Sequence, residues 1–167
     1  MKFKNKFVVK QTINWNGVDK AGAANSTVAG HLVGLSLPSG AIITDAWIDV
    51  TTTFTSAGND ATIALDLVSK SDGTTSQAAL VAATTIKNSP NDSGGARTIW
   101  NVGMRGTLIT APGLGNDGAH NSAVEVIDLV VGVKKKLSAN AELKMTVAVE
   151  ALTAGVMDVY IEYIYIP

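Results

Sequence analysis

Apolar and polar residues alternate along most of this chain with a period of two, the signature of β-strands with one buried face. The stretch Leu37 to Leu67, LPSGAIITDAWIDVTTTFTSAGNDATIALDL, shows it best. Pro38-Ser39-Gly40 opens it as a turn, with Pro fixing φ and Gly accepting positive φ. Ile42, Thr44, Ala46, Ile48 and Val50 then share one face, and Ile43, Asp45, Trp47 and Asp49 the other. The run Thr51 to Thr53 adds β propensity. Ser56-Ala57-Gly58-Asn59-Asp60 reads as the tip of a hairpin whose return strand carries Ile63, Leu65 and Leu67 on its dry face.

The same alternation predicts strands over 7–15 and 28–37, the second with His31, Val33, Leu35 and Leu37 on one side. Residues 124–133 are almost continuously apolar, which fits a strand covered on both faces or lying under an interface. Leu143, Met145, Val147 and Val149 alternate with polar neighbours, and a last strand runs from Val156 to Ile166. A short strand is expected around Thr107 to Thr110. Loops are expected over 17–27, 69–75, 88–95 and 111–121, where Gly, Asn, Asp, Ser and Pro cluster. Ser76 to Ala83 breaks the alternation and is rich in alanine, so it is read as a two-turn helix with Ser76 as N-cap. The expected fold is all-β: a two-sheet jelly-roll or Greek-key sandwich of about eight strands with one short helix. No repeat or linker divides it, so 1–167 reads as one domain, with residues 1–6 as an N-terminal arm.

Composition narrows the function classes. Of 167 residues, 46% are apolar and only 16% charged, with mean hydropathy +0.23, so a partner is expected to cover part of the surface. A net charge of −1 and a pI near 6.1 offer no basic field for nucleic acid or anionic lipid. Without cysteine there are no disulfides and no thiolate chemistry, and most structural zinc sites are excluded. Phe7-Val8-Val9 is too short for a signal-peptide core, and no run approaches a membrane span, so a soluble, unprocessed protein is expected.

No constellation identifies a reaction. His31 lies in an apolar strand and reads as a hydrogen-bonded structural imidazole. His120, in a Gly/Asn/Asp turn, matches no established metal-ligand spacing. Asp45 and Asp49 stand about 13 Å apart along a strand, too far for a glycosidase pair; Asp60 and Asp66 have no better case. No GxSxG elbow surrounds a serine, and Gly113-Leu114-Gly115 lacks the lysine and helix of a phosphate loop. Lys134 to Lys136 reads as an edge guard. Trp15, Trp47 and Trp100 raise a carbohydrate-binding alternative, and only Trp47 shares a face with acids.

The central stretch resembles small structural proteins of tailed bacteriophages. The similarity lies in Leu37-Pro38-Ser39-Gly40-Ala41, Val50-Thr51-Thr52-Thr53-Phe54 and Ala61-Thr62-Ile63-Ala64-Leu65. It extends through SQAALVAATTI and the late hairpin ELKMTVAVEALTAGVMDVYIEY. The resemblance implies a jelly-roll capsid decoration (cement) protein, or a tail or collar component, with no active site and no cofactor. It implies a homotrimer on the outer surface of a capsid, made in the host cytoplasm, with the major capsid protein as partner and neither nucleic acid nor membrane. The candidate interface residues are Lys2, Lys4 and Lys6 of the arm, Trp47, then Val124, Val126 and Val130, and Tyr160, Tyr163 and Tyr165. The other reading of the arm is a frayed, solvated terminus.

Overall fold

The computed structural model of the chain describes residues 6–86, 100, 105–107 and 135–165. Nine strands lie among the described residues: β1 (Lys6–Asn14), β2 (Ala29–Leu37), β3 (Ile42–Ser56), β4 (Thr62–Ser69), β5 (Ser76–Thr85), β6 (Arg105–Thr107), β7 (Lys135–Lys136), β8 (Ala141–Ala148) and β9 (Leu152–Ile164). They form two antiparallel sheets. One has the order β1-β9-β3-β6, with β7 also paired to β3; the other has the order β2-β8-β4-β5. The fold is the expected all-β two-sheet sandwich, with one apolar core built from the inner faces of both sheets. Ile48, Leu65, Met145 and Val159 are wholly buried there. Each fully buried aliphatic side chain of this kind contributes about 1.5–3 kcal/mol.

The chain changes sheet between most successive strands, β4–β5 and β6–β7 being the exceptions, and this corrects the reading of two hairpins. β3 and β4 do not pair, and neither do β8 and β9; each pair is joined by an arch that carries the chain across the core. One-sided alternation is satisfied equally when two strands lie side by side and when they face each other, so periodicity does not distinguish the two. The two arches hold each other. The Glu150 carboxylate, from the β8–β9 arch, accepts hydrogen bonds from the Ser56 hydroxyl and from Gly58 N–H at 2.7 Å in the β3–β4 arch. These donors pull its pKa below the ordinary carboxylate value. Asn59 (φ 58°) and Val149 (φ 70°) take the left-handed turns.

The expected helix is strand β5. Ten residues, Ser76–Thr85, oppose Thr62–Val68 of β4, and register shifts between Ile63 and Leu65, Leu65 and Asp66, and Leu67 and Val68 absorb the excess. Each bulge inserts a residue and resets the inward face, so burial runs in pairs (Gln77-Ala78, Leu80-Val81) with a period near three. That spacing, together with alanine, imitates a helix in sequence. β3 is bulged too. A shift between Ile43 and Asp45 buries Ile43 in place of Ile42 and Thr44, after which Ala46, Ile48 and Val50 follow the expected face.

β6 and β7 lie along the same edge of β3, opposite Trp47–Asp49 and Ile42–Ile43 respectively. Of the short strand expected at Thr107 to Thr110, Thr107 lies in β6 and the rest falls outside the described residues. Trp100 is fully buried, edge-on to Phe54 (centroids 5.8 Å, 74°), with its indole N–H toward the Thr84 carbonyl. It is a core residue and offers nothing to a ligand. Gly155 (φ 137°) passes so close to Phe54 that a Cβ would lie 2.1 Å from the ring.

Candidate interaction surface

The register of β1, β9 and β3 lines their outward side chains into rows. Lys10 faces Tyr160, which faces Trp47; Thr12 faces Asp158, which faces Asp49; Val8 faces Glu162, which faces Asp45. In the middle row the Trp47 and Tyr160 rings stack at 5.1 Å with 5° between planes. Lys10 Nζ sits 5.6 Å from the Tyr160 centroid, on the row's far side. The rings therefore turn their faces to one another along the sheet and their edges outward. A sugar stacks on an open ring face, and Trp47 has already given one of its faces to Tyr160.

The flanking acids are held by their neighbours. Lys10 Nζ reaches Asp158 Oδ2 at 2.7 Å, and Thr12 Oγ1 donates to Asp158 Oδ1 at 2.6 Å. Burial acts to raise the Asp158 pKa, but the Lys10 and Thr12 hydrogen bonds outweigh it and the value falls. Lys10 is raised in turn, chiefly by its hydrogen bond to Asp158. Glu162 accepts from Lys6 at 2.6 Å and from Thr44 Oγ1 at 2.7 Å, and both lower its pKa. The face is aromatic at its centre and alternates in charge around it.

Part of the outer face of the other sheet is covered by the chain itself. Lys144 lies over Gly30 and donates to the Gly73 carbonyl at 3.2 Å, while Gly73, in loop 70–75, sits above Leu32. Glu142 is 2% exposed and ion-paired with Lys20 from the loop between β1 and β2. That loop is tied down again by His31, fully buried, whose Nδ1 meets Asp19 Oδ2 at 3.1 Å and whose Nε2 meets the Thr27 carbonyl at 2.9 Å. The structural imidazole expected at His31 is what the fold contains.

The sequence-based candidates therefore separate. Trp47 and Tyr160 meet at the centre of the open face, and Lys6 lies at its rim. Tyr163 is on the opposite side of β9, stacked on Phe7 at 5.3 Å, and Tyr165 packs against the core near Gly40. Lys2, Lys4, Val124, Val126 and Val130 lie outside the described residues, as do His120, Gly113 to Gly115 and the loops 88–95 and 111–121. Sequence reasoning passed over Asp158 and Glu162. They share the parity of Tyr160 along β9, but which strand they face depends on a register that parity does not reveal. Among the described residues no group of three His, Cys, Asp or Glu side chains is placed to hold a metal ion.

No known protein family matches the chain, and no curated protein is similar to it in sequence. In fold it is similar to a chain of the acid-stable capsid of Helicobacter pylori bacteriophage KHP30, with TM-score 0.53 and 11% identity over 98% of this chain and 90% of that one. It is also similar to a chain of the capsid of Ralstonia phage GP4, with TM-score 0.54 and 17% identity over 99% of this chain and 88% of that one. At these identities the likeness is one of fold.

Proposed function

We propose that this chain is a non-enzymatic structural protein of a phage virion: a capsid decoration (cement) protein, wound as a jelly roll, that seats on the assembled head. The observation that carries the reading is the likeness over nearly the whole chain to chains of two phage capsids. The alternation of strands between the two sheets supports the jelly-roll winding. The Trp47–Tyr160 face supports a docking role, because half-buried aromatics ringed by paired charges are the usual core of a protein contact. The partners are the major capsid protein and further copies of the chain in a homotrimer, with the apolar run 124–133 as the subunit contact. Stabilisation follows mass action: a subunit that binds only the assembled shell shifts the equilibrium toward that shell.

The test is addition of the purified chain to heads assembled without it. Saturable binding and a higher temperature of head disruption are expected, with light scattering giving three times the 17.2 kDa chain mass for the free protein. Heads that neither bind the chain nor gain stability from it refute the reading.

A further inference from the structure

We propose that the exposed edge of β1, from Lys6 to Lys10, receives an extended segment of another protein chain as an added strand, one with the alternation acidic–x–apolar–x–acidic. The identity of that chain as the head subunit rests on the function proposed above; the edge itself rests on the geometry of β1.

Trp15 N–H donates to the Gly155 carbonyl, and the β1–β9 register is regular over all nine residues. Odd-numbered residues of β1 thus spend their backbone groups on β9, and even-numbered residues direct theirs away from the sheet. The far end of the strand confirms this parity. The Asn14 carbonyl is taken by Gly17 N–H and the Asn25 amide, and the Thr12 carbonyl by the Gln11 amide. The chain has therefore blunted the edge at Thr12 and Asn14 while leaving Lys6 to Lys10 without any such cover among the described residues.

The other sheet margins are managed differently. β5 is bulged three times, β2 is irregular between Leu32 and Ser36 with Gly34 at φ 99°, and the far side of β3 is paired by β6 and β7. β1 alone among the described edges is straight, long and exposed, with apolar Phe7 (43% exposed) and Val8 (54%) on opposite faces. Such an edge is a template for strand addition.

Charge selects the occupant. Lys6 and Lys10 flank Val8 on the outward face and stay 60% and 48% exposed beside Glu162 and Asp158. A second copy of β1, paired antiparallel along the whole open edge, sets Lys6 opposite the second copy's Lys10, which is repulsive. An incoming strand with carboxylates at those two positions and an apolar residue opposite Val8 meets attraction at both, so the partner is a different segment.

Val8→Pro is the edge-specific variant: it removes an outward N–H and leaves the β9 ladder intact. The measurements are binding to heads of the parent phage assembled without the chain, and hydrogen exchange of the Val8 and Lys10 amides free and bound. We expect Val8→Pro to melt within a few degrees of the wild type and bind at least tenfold more weakly, with both amides protected only in the bound wild type. Equal binding by Val8→Pro, together with wild-type Val8 and Lys10 amides that exchange as fast bound as free, overturns the added strand and leaves the shell function standing. Failure of the wild type to bind any head overturns both. Should Val8→Pro not fold, amide protection in the bound wild type decides alone.

Discussion

The two outer faces of this sandwich are built from similar materials to opposite ends. On the β2-β8-β4-β5 side a glutamate is nearly inaccessible, a lysine lies flat over a glycine, and two loops fold down onto the sheet. On the β1-β9-β3 side the ion pairs Lys6–Glu162 and Lys10–Asp158 stand half in water around a stacked Trp47–Tyr160 pair, and none of the described loops closes over them. A charged pair under a loop locks that loop in place, whereas a pair beside an open aromatic keeps the surface polar without filling it. The difference is that described loops pack on one face at Glu142 and Gly30, whereas none of them packs on the Trp47–Tyr160 pair.

The largest expected effect lies on the covered face. Lys20→Met strands the Glu142 carboxylate, which is 2% exposed, without its cation. Breaking a buried pair from one side costs about 3–5 kcal/mol, reduced here to about 2–3 because Lys20 itself is half in water. For a chain of this size that is a fall of about 5–10 °C in the melting midpoint at neutral pH. A fall no larger than that of Lys10→Met on the open face would erase the contrast.

How much of this was legible in sequence depends on which property is asked for. Parity alone placed Trp47 beside Asp45 and Asp49 on an outward face, and His31 on an inward one, because side chains alternate strictly along an unbulged strand. Parity could not pair Trp47 with Tyr160, since the β3–β9 register depends on contacts between distant segments. It misled at Ser76 to Ala83, where three bulges convert a period of two into one near three. It also left hairpin and arch undistinguished at Ser56–Asp60, where the deciding partner, Glu150, comes from another arch. The edge at Phe7 and Val8 was missed for a related reason: exposure of an apolar residue is decided by what fails to pack on it.

On the open face, Trp47→Ala removes a stacked partner worth about 0.5–1.5 kcal/mol together with some half-buried area, so a loss of about 1–2 kcal/mol is expected. The binding penalty is expected to exceed the folding one: at least a tenfold weaker association with heads, read from co-sedimentation at a temperature where both proteins are folded. Trp47→Ala that binds as the wild type does would move the docking surface elsewhere. Lys10→Met, by contrast, breaks an ion pair whose cation is in water, and a midpoint shift of no more than about 2 °C is expected from thermal melts.

The smallest effect distinguishes the faces by sign. Burial raises the Asp66 pKa on the covered face, with the Ser76 hydroxyl and Lys144 pulling it back only in part. On the open face Glu162 and Asp158 are lowered by their donors. A carboxyl whose folded pKa is depressed adds stability above its unfolded pKa and loses it as pH falls through the folded value; one whose pKa is raised subtracts stability where it is ionised and nothing once both states are protonated. Asp66→Asn is therefore expected to stabilise slightly at neutral pH, by about 0.5 kcal/mol or less once solvent screening is allowed for. The difference from wild type should shrink to zero as pH falls through the ordinary carboxylate range. Asp158→Asn should destabilise at neutral pH, and its deficit should shrink over the same acid descent. Midpoints of chemical unfolding for the three proteins between neutral and acid pH test both signs at once. An Asp66→Asn advantage that grows on acidification would mean that this carboxylate is held by Lys144 more strongly than it is penalised by burial, and that the covered face uses charge as the open one does.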